Sequence, residues 1–244
     1  MKRMLRNPRL YASIFLSLFI LLRPLSEAFV EKPNGTFLQF LSVPFAASDY
    51  TPFAAIFCVL PFAGSFCEDY NSGYFRFIIL RTGEKKYAYS RCISVMLSGG
   101  IMMAITVSIV ILTCAFFSNM PETVDTAAFM RTSIWASMGI LIKHQWILAI
   151  LKILLAFLFG SAWAMTGLLI SVLYINRYVT CIAPFVIYQI LWFLLEGNAF
   201  NPVYLLRGDS NFIPSFSFIV IYQMIWISVC FLTSYIGIRK RVTV

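Results

Sequence analysis

Residues 92–117 form an apolar run of 26 residues that contains no charged side chain. An α-helix needs about 20 such residues to cross the hydrocarbon core of a bilayer. The composition extends this constraint to the whole chain, since 60% of its 244 residues are hydrophobic, 12% are charged and the mean hydropathy is +0.83. The sequence therefore predicts an all-α integral membrane protein that crosses the bilayer several times.

The apolar runs predict six transmembrane helices in a single domain, residues 1–244. The predicted spans are 10–30, 50–66, 92–117, 146–174, 179–195 and 212–238, and polar segments separate them at 31–49, 67–91, 118–145, 175–178 and 196–211. The first span leaves two interpretations open. Its basic start and the small residues Ser26 and Ala28 are typical of a cleaved signal peptide, whereas Arg23 near the outer head groups suits a retained helix. Both interpretations give the later segments the same orientation.

The basic residues predict which side of the membrane each segment faces. With the N-terminus in the cytoplasm, 13 of the 19 Lys and Arg residues lie inside, and seven of the ten acidic residues lie outside. The inner set is Lys2, Arg3, Arg6, Arg9, Arg76, Arg81, Lys85, Lys86, Arg91, Arg177, Arg239, Lys240 and Arg241. This bias follows the positive-inside rule, so both termini are predicted to be cytoplasmic. The net charge of +9 is thus a topological signal and does not indicate nucleic-acid binding.

The longest inner segment, residues 67–91, reads CEDYNSGYFRFIILRTGEKKYAYSR. Its centre crowds apolar side chains around two arginines: Phe75, Arg76, Phe77, Ile78 and Arg81. That composition is typical of a short amphipathic helix lying along the membrane surface, between the second and third spans. The residues alone leave two alternatives, an interfacial helix that touches only lipid and a docking element for a partner protein.

The order of these features resembles the permease subunits of ATP-binding cassette (ABC) transporters of the type-2 family. The matching features are the basic start MKRMLRNPRL, a short first span, an acidic residue closing span two, and RTGEKKYAYSR leading into span three. In this resemblance Glu68 takes the acidic position, residues 73–81 take the coupling helix, and residues 81–91 take the return to the membrane. MKRMLRNPRL takes the basic connecting helix, although Pro8 interrupts a continuous helix there.

The resemblance implies a transport subunit that is not itself an enzyme. A separate ABC ATPase subunit, in two copies, would bind ATP and Mg²⁺, and a second permease subunit, identical or related, would complete the pathway in a bacterial cell membrane. The implied cargo of the exporter is hydrophobic or amphipathic: an antimicrobial peptide such as a lantibiotic, a drug or a lipid. The implied ATPase-coupling residues are Glu68, Gly73, Phe75, Arg76, Phe77, Ile78 and Arg81. The alternative is a structural or assembly membrane protein without a transport pathway.

No catalytic or cofactor motif points to another activity. The chain contains no G-x-x-x-x-G-K-[ST], no H-E-x-x-H and no G-x-S-x-G. Its single histidine, His144, cannot form a His-based metal site, and we expect it to be an interfacial polar residue. All six cysteines lie in or beside apolar runs, which predicts small buried groups and not a disulfide framework.

Candidate pathway or packing residues lie inside span four. Lys152 is roughly two turns inside the span and either faces a polar pathway or extends outward to the interface, and we expect the second. Gly160, Ala164 and Gly167 have the small-residue spacing of a close helix contact. After span five, residues 196–216 combine helix stops with apolar side chains, so we expect this segment to turn back into the outer leaflet as a short helix.

Overall fold

A computed structural model of the protein describes residues 7–31, 37–47, 50–117, 145–206 and 214–243. In order, these ranges contain α1 (Pro8–Glu31), α2 (Phe37–Ala47), α3 (Tyr50–Val59), α4 (Ser65–Asn71), α5 (Tyr74–Thr82), α6 (Glu84–Phe117), α7 (Gln145–Leu173), α8 (Arg177–Leu194), a 3₁₀ turn (Pro202–Leu205) and α9 (Phe216–Thr243). The segments between them in the described ranges are turns and short connections.

Five helices in the described ranges are long and apolar enough to cross a membrane: α1, α6, α7, α8 and α9. They correspond to five of the six predicted spans, so the predicted all-α, multi-pass architecture is confirmed at this level. Two of them extend furthest past a predicted end of their span. Helix α6 begins at Glu84 and α9 continues to Thr243, because charged and polar residues at a helix end can extend beyond the apolar part of a span.

The predicted second span, residues 50–66, is not one helix. Helix α3 ends at Val59, a turn containing Pro61 follows, and α4 begins at Ser65. Proline has no backbone N–H and its ring crowds the preceding turn, so the expected kink at Pro61 is a full break.

Helix α2 was also missed, since residues 31–49 were predicted to be a polar connection. Its side chains Phe37, Phe40 and Phe45 are fully buried, and the helix packs against α1 and α6. Three aromatic residues in an 11-residue helix give too short an apolar run for a span, but they are enough to bury one face of a helix.

Helix α7 lies at the centre of the bundle, in contact with α3, α6, α8 and α9. Small residues allow this. A Cβ atom added to Gly99 of α6 would lie 2.5 Å from Cβ of Ala164, and one added to Gly160 would collide with the Gly99 carbonyl oxygen. A Cβ at Gly167 would lie 2.7 Å from the methyl groups of Val59. The predicted small-residue positions therefore lie where α7 meets α6 and α3, and a larger side chain at any of them would force the helices apart.

Candidate functional site at the charged end of the bundle

A buried ion pair joins α4 to the start of α6. The Asp69 carboxylate pairs with Arg91, and the two side chains are only 2% and 7% exposed. The Arg91 guanidinium also donates from Nη1 to Ser65 Oγ at 2.8 Å and lies 5.3 Å above the Phe62 ring centroid. A buried charge needs both a counter-ion and hydrogen bonds, and Arg91 has both. The pair therefore fixes the position of α4.

A second ion cluster ties α4 to two further helices. Glu68 Oε1 lies 2.7 Å from Nη1 of Arg9 on α1 and 3.1 Å from Nη1 of Arg177 on α8. The neighbouring Cys67 thiol lies 3.4 Å from Ser171 Oγ near the end of α7. Helix α4 is thus in polar contact with α1, α6, α7 and α8. We call this region, defined by Arg9, Glu68, Asp69, Arg91 and Arg177, the charged end.

Helix α5 follows α4 directly and is bounded by two glycines. Gly73 has φ 68° and Gly83 has φ 79°, a left-handed conformation that side chains with a Cβ rarely adopt. Phe75 is buried and stacks on Tyr70 of α4, with the ring centroids 5.1 Å apart. Ile78 packs against the same hydrophobic cluster. One face of α5 therefore rests on the bundle.

The opposite face of α5 is exposed and apolar. Tyr74, Phe77 and Leu80 are 50%, 67% and 85% exposed and follow each other at three-residue spacing. Exposed basic residues surround this stripe on α5 and the first turn of α6: Arg76, Arg81, Lys85 and Lys86. Apolar side chains on the outside, bordered by cations, are typical of a contact surface for a partner or a membrane.

The structure separates the predicted coupling residues into two groups. Phe75 is buried and Ile78 is half-buried against the bundle, so both help to hold α5 in place. Phe77 is exposed as expected, and Leu80 and Tyr74 were missed. Their three-residue spacing was a signal in the sequence, because residues at i, i+3 and i+6 share one face of a helix.

Lys152, which we expected to extend to the interface, lies buried near the other end of α7. Its side chain is 3% exposed, Nζ donates to the Leu206 carbonyl oxygen at 2.6 Å, and Nζ lies 4.3 Å from the Phe45 ring centroid. The chain after α8 returns over Lys152 and supplies a backbone acceptor within the bundle, which makes an outward extension unnecessary.

The returning segment is described through Leu206 and contains one short helical turn. The 3₁₀ turn Pro202–Leu205 is followed by Leu206, and Leu205 and Leu206 are buried. Gln223 Nε2 donates to the Leu205 carbonyl at 3.0 Å, and Asn201 Nδ2 donates to the Trp192 carbonyl at 3.1 Å. Side chains thus satisfy backbone groups that have no helical partner, as irregular backbone in apolar surroundings requires.

The cysteines are all free thiols, and five of the six are buried. Among the residues that the structure describes, no group of three or more His, Cys, Asp or Glu side chains could hold a metal ion. His144 lies outside the described residues. The notable chemistry of the described chain is therefore charge pairing at one end and an exposed amphipathic helix attached to it.

No family model, curated protein or solved structure matches the chain. The exposed apolar stripe of α5 follows directly after α4, which makes polar contacts with α1, α6, α7 and α8.

Proposed function

We propose that the chain is the permease subunit of an ATP-driven ABC exporter and that α5 is its docking helix for the ATPase. The observation that carries the proposal is the exposed stripe of Tyr74, Phe77 and Leu80 on a helix whose other face is fixed to the bundle. A surface helix that contacted only lipid would not require the ion pairs that fix the position of the adjacent α4.

The ion pairs supply a route for mechanical coupling. Movement of a partner bound to α5 would pass to α4 and then, through Asp69 and Glu68, to α6, α1 and α8. In the proposed assembly two ATPase copies bind ATP and Mg²⁺, and a second permease subunit, identical or related, completes the pathway. The cargo is hydrophobic or amphipathic, of the peptide, drug or lipid kind, in a bacterial cell membrane.

The proposed topology has six crossings with both termini in the cytoplasm. Contacts at the charged end support it, because Arg9 near the start of α1 meets α4, Arg91 of α6 meets α4, and Arg241 near the end of α9 donates to the Leu173 carbonyl at 2.8 Å. In this topology the short helices α2, α3 and α4 together carry the second crossing.

Cysteine labelling from outside intact cells tests the topology. A cysteine at position 85 should stay unlabelled by a membrane-impermeant maleimide, whereas one at position 125 should react, because the proposed crossings put them on opposite sides. Labelling at position 85 would refute the cytoplasmic assignment of the charged end.

Replacement of the exposed stripe tests the docking helix. In cells that also produce a tagged Walker-motif ATPase encoded by a neighbouring gene, Phe77→Asp and Leu80→Asp should each lower its co-purification about fivefold or more, since one interface anchor contributes roughly 1–4 kcal/mol. Thr82→Asp adds the same charge to α5 away from the stripe and serves as the matched control. Normal insertion of each variant is checked by its elution as a monodisperse species.

Undiminished recovery of the ATPase with both Phe77→Asp and Leu80→Asp would overturn the docking role. A chain without any co-purifying ATPase would instead favour a structural or assembly protein. Phe75→Asp is not a docking test, because Phe75 is buried against Tyr70 and its replacement would detach α5 from the bundle.

A further inference from the structure

Gln189 places a side-chain amide on the exposed side of α8, and the residue itself is partly exposed. Ile182, Val186 and Phe193 lie within about 60° of Gln189 around the helix axis, and all three are exposed. The buried residues of α8 lie on the other side of the helix: Thr180, Pro184 and Tyr188. Gln189 therefore belongs to the face that α8 turns away from the bundle.

The amide lies within the apolar part of a membrane span. Gln189 is twelve residues, or about 18 Å, beyond Arg177 and five residues, or about 8 Å, before Leu194, the last residue of α8. Its neighbours one helical turn away are apolar, among them Phe185 and Phe193. Because the hydrocarbon core contains no water, water cannot satisfy the amide at this depth.

Gln189 makes no hydrogen bond within the part of the chain that the structure describes. Gln223 of α9, in contrast, donates to the Leu205 carbonyl. A glutamine amide has one acceptor oxygen and two N–H donors, and leaving them unpaired in apolar surroundings is unfavourable. Acyl chains offer neither a donor nor an acceptor, whereas a protein partner offers both.

Helix α8 has the surface for such a partner, because it is the least buried of the five long helices. Phe53 of α3 extends this surface, since it is exposed and its ring centroid lies 5.7 Å from that of Phe185. An amide is also its own complement, because each of two facing amides can donate to the other. A two-fold axis beside Gln189 would bring the same residue of a second copy to it, and two-fold dimers are the commonest protein assemblies.

We infer that a second copy of this chain packs on the exposed face of α8 and that the two Gln189 side chains are hydrogen-bonded across a two-fold axis. The amide pair fixes the register of the two helices, and Ile182, Val186, Phe193 and Phe53 supply the apolar contact. The inference rests on the proposed function only for the second permease subunit, which it identifies as an identical copy. It involves neither α5 nor an ATPase.

Dimerisation of the full chain in phosphatidylcholine vesicles tests this contact. Copies with a donor or an acceptor fluorophore at the C-terminus are reconstituted without an ATPase, and energy transfer is followed as lipid dilutes the protein. Gln189→Leu removes the amide and should raise the dissociation constant about fivefold or more, because the pair contributes two hydrogen bonds between membrane helices. Gln223→Leu removes an amide that is used inside the subunit and should leave the constant unchanged.

Cross-linking supplies a gain of signal that does not depend on weakening the protein. The background variant is Cys181→Ser, because Cys181 is the one cysteine of the six that is not buried. With copper phenanthroline in native membranes, Gln189→Cys should form a disulfide-linked dimer about fivefold faster than Ile225→Cys. Ile225 is the matched control, since it lies on the exposed apolar face of α9.

Equal dissociation constants for the wild type and Gln189→Leu would overturn the homodimer, as would equal cross-linking at the two positions. A monomeric wild type would mean that lipid alone covers α8. Cross-linking of Gln189→Cys to a different membrane protein would replace the second copy by another chain. Either result would refute the inference, and neither bears on ATPase docking at α5, because no ATPase is present in the vesicles.

Discussion

At the charged end of the bundle, Glu68 and Asp69 form ion pairs with arginines, whereas near the other end of α7 Lys152 and Gln223 donate to backbone carbonyls. Asp69–Arg91 and Glu68 with Arg9 and Arg177 join the side chains of four helices, α1, α4, α6 and α8. Lys152 and Gln223 instead hold Leu206 and Leu205, where the chain is not regular helix. We call this second region the return segment site.

The comparison shows that the partner of a polar side chain inside the bundle depends on whether the nearby backbone is regular helix. Helices offer few unpaired backbone groups away from their ends, so a buried charge there requires a counter-ion from another helix. An irregular segment has unpaired carbonyls that must find donors in apolar surroundings. Four substitutions test whether this distinction holds, and they are given from the largest expected effect to the smallest.

Arg91→Ala should have the largest effect, because it leaves the Asp69 carboxylate buried without its counter-ion. We expect a loss of about 3–5 kcal/mol in the free energy of unfolding, measured by graded SDS titration of the solubilised protein. The double variant Asp69→Ala/Arg91→Ala removes both charges and should be more stable than the single variant. A single variant as stable as the wild type would show that this pair does not hold the charged end.

Lys152→Met should open the return segment while keeping most of the side-chain volume. The Leu206 carbonyl then loses its donor, which costs about 1–3 kcal/mol for a buried group. Labelling of a cysteine placed at Val203 by a membrane-impermeant maleimide should rise about fivefold or more. Arg23→Met, on the exposed face of α1, is the control and should leave the labelling rate unchanged.

Gln223→Leu should have a similar but smaller effect on the same labelling rate, because a neutral donor contributes about 1 kcal/mol. The carbonyls of Leu205 and Leu206 are adjacent in the chain, so the double variant with Lys152→Met should fall short of the sum of the two single effects. Strict additivity would indicate that the two donors hold independent parts of the segment.

Arg9→Gln should have the smallest effect on stability. Both Arg9 and Glu68 are about one-third exposed, and Arg177 remains beside Glu68. The expected loss is below about 1 kcal/mol and should shrink as salt is added to the SDS titration. A salt-independent loss as large as that of Arg91→Ala would remove the distinction between the buried and the exposed ion pairs.

The sequence predicted the long helices and the amphipathic α5, but not which face of α5 is buried. Hydropathy depends on neighbouring residues, so α6 and α7 could be found from their own apolar runs. Phe75 and Phe77 are only two residues apart, yet Tyr70 covers one of them and leaves the other exposed. That outcome depends on the orientation of α5 on α4, which the local sequence pattern does not predict.

The hydropathy of the chain also did not predict the break between α3 and α4 or the burial of α2. Pro61 indicated a disturbance in the second span, but whether a proline kinks or ends a helix depends on what receives the freed backbone groups. Here Asn7 Nδ2 donates to the Pro61 carbonyl at 2.6 Å, across a separation of 54 residues.

The sequence by itself determined that this chain is a multi-pass helical membrane protein with a basic, amphipathic segment between two apolar runs. Long apolar runs fix this because unpaired backbone groups cannot be left in hydrocarbon. Tertiary structure alone decided the polar partners: Arg9 meets Glu68 across 59 residues, and Lys152 meets the Leu206 carbonyl across 54. A buried charge takes whichever acceptor the fold brings within reach, and that choice depends on the arrangement of whole helices.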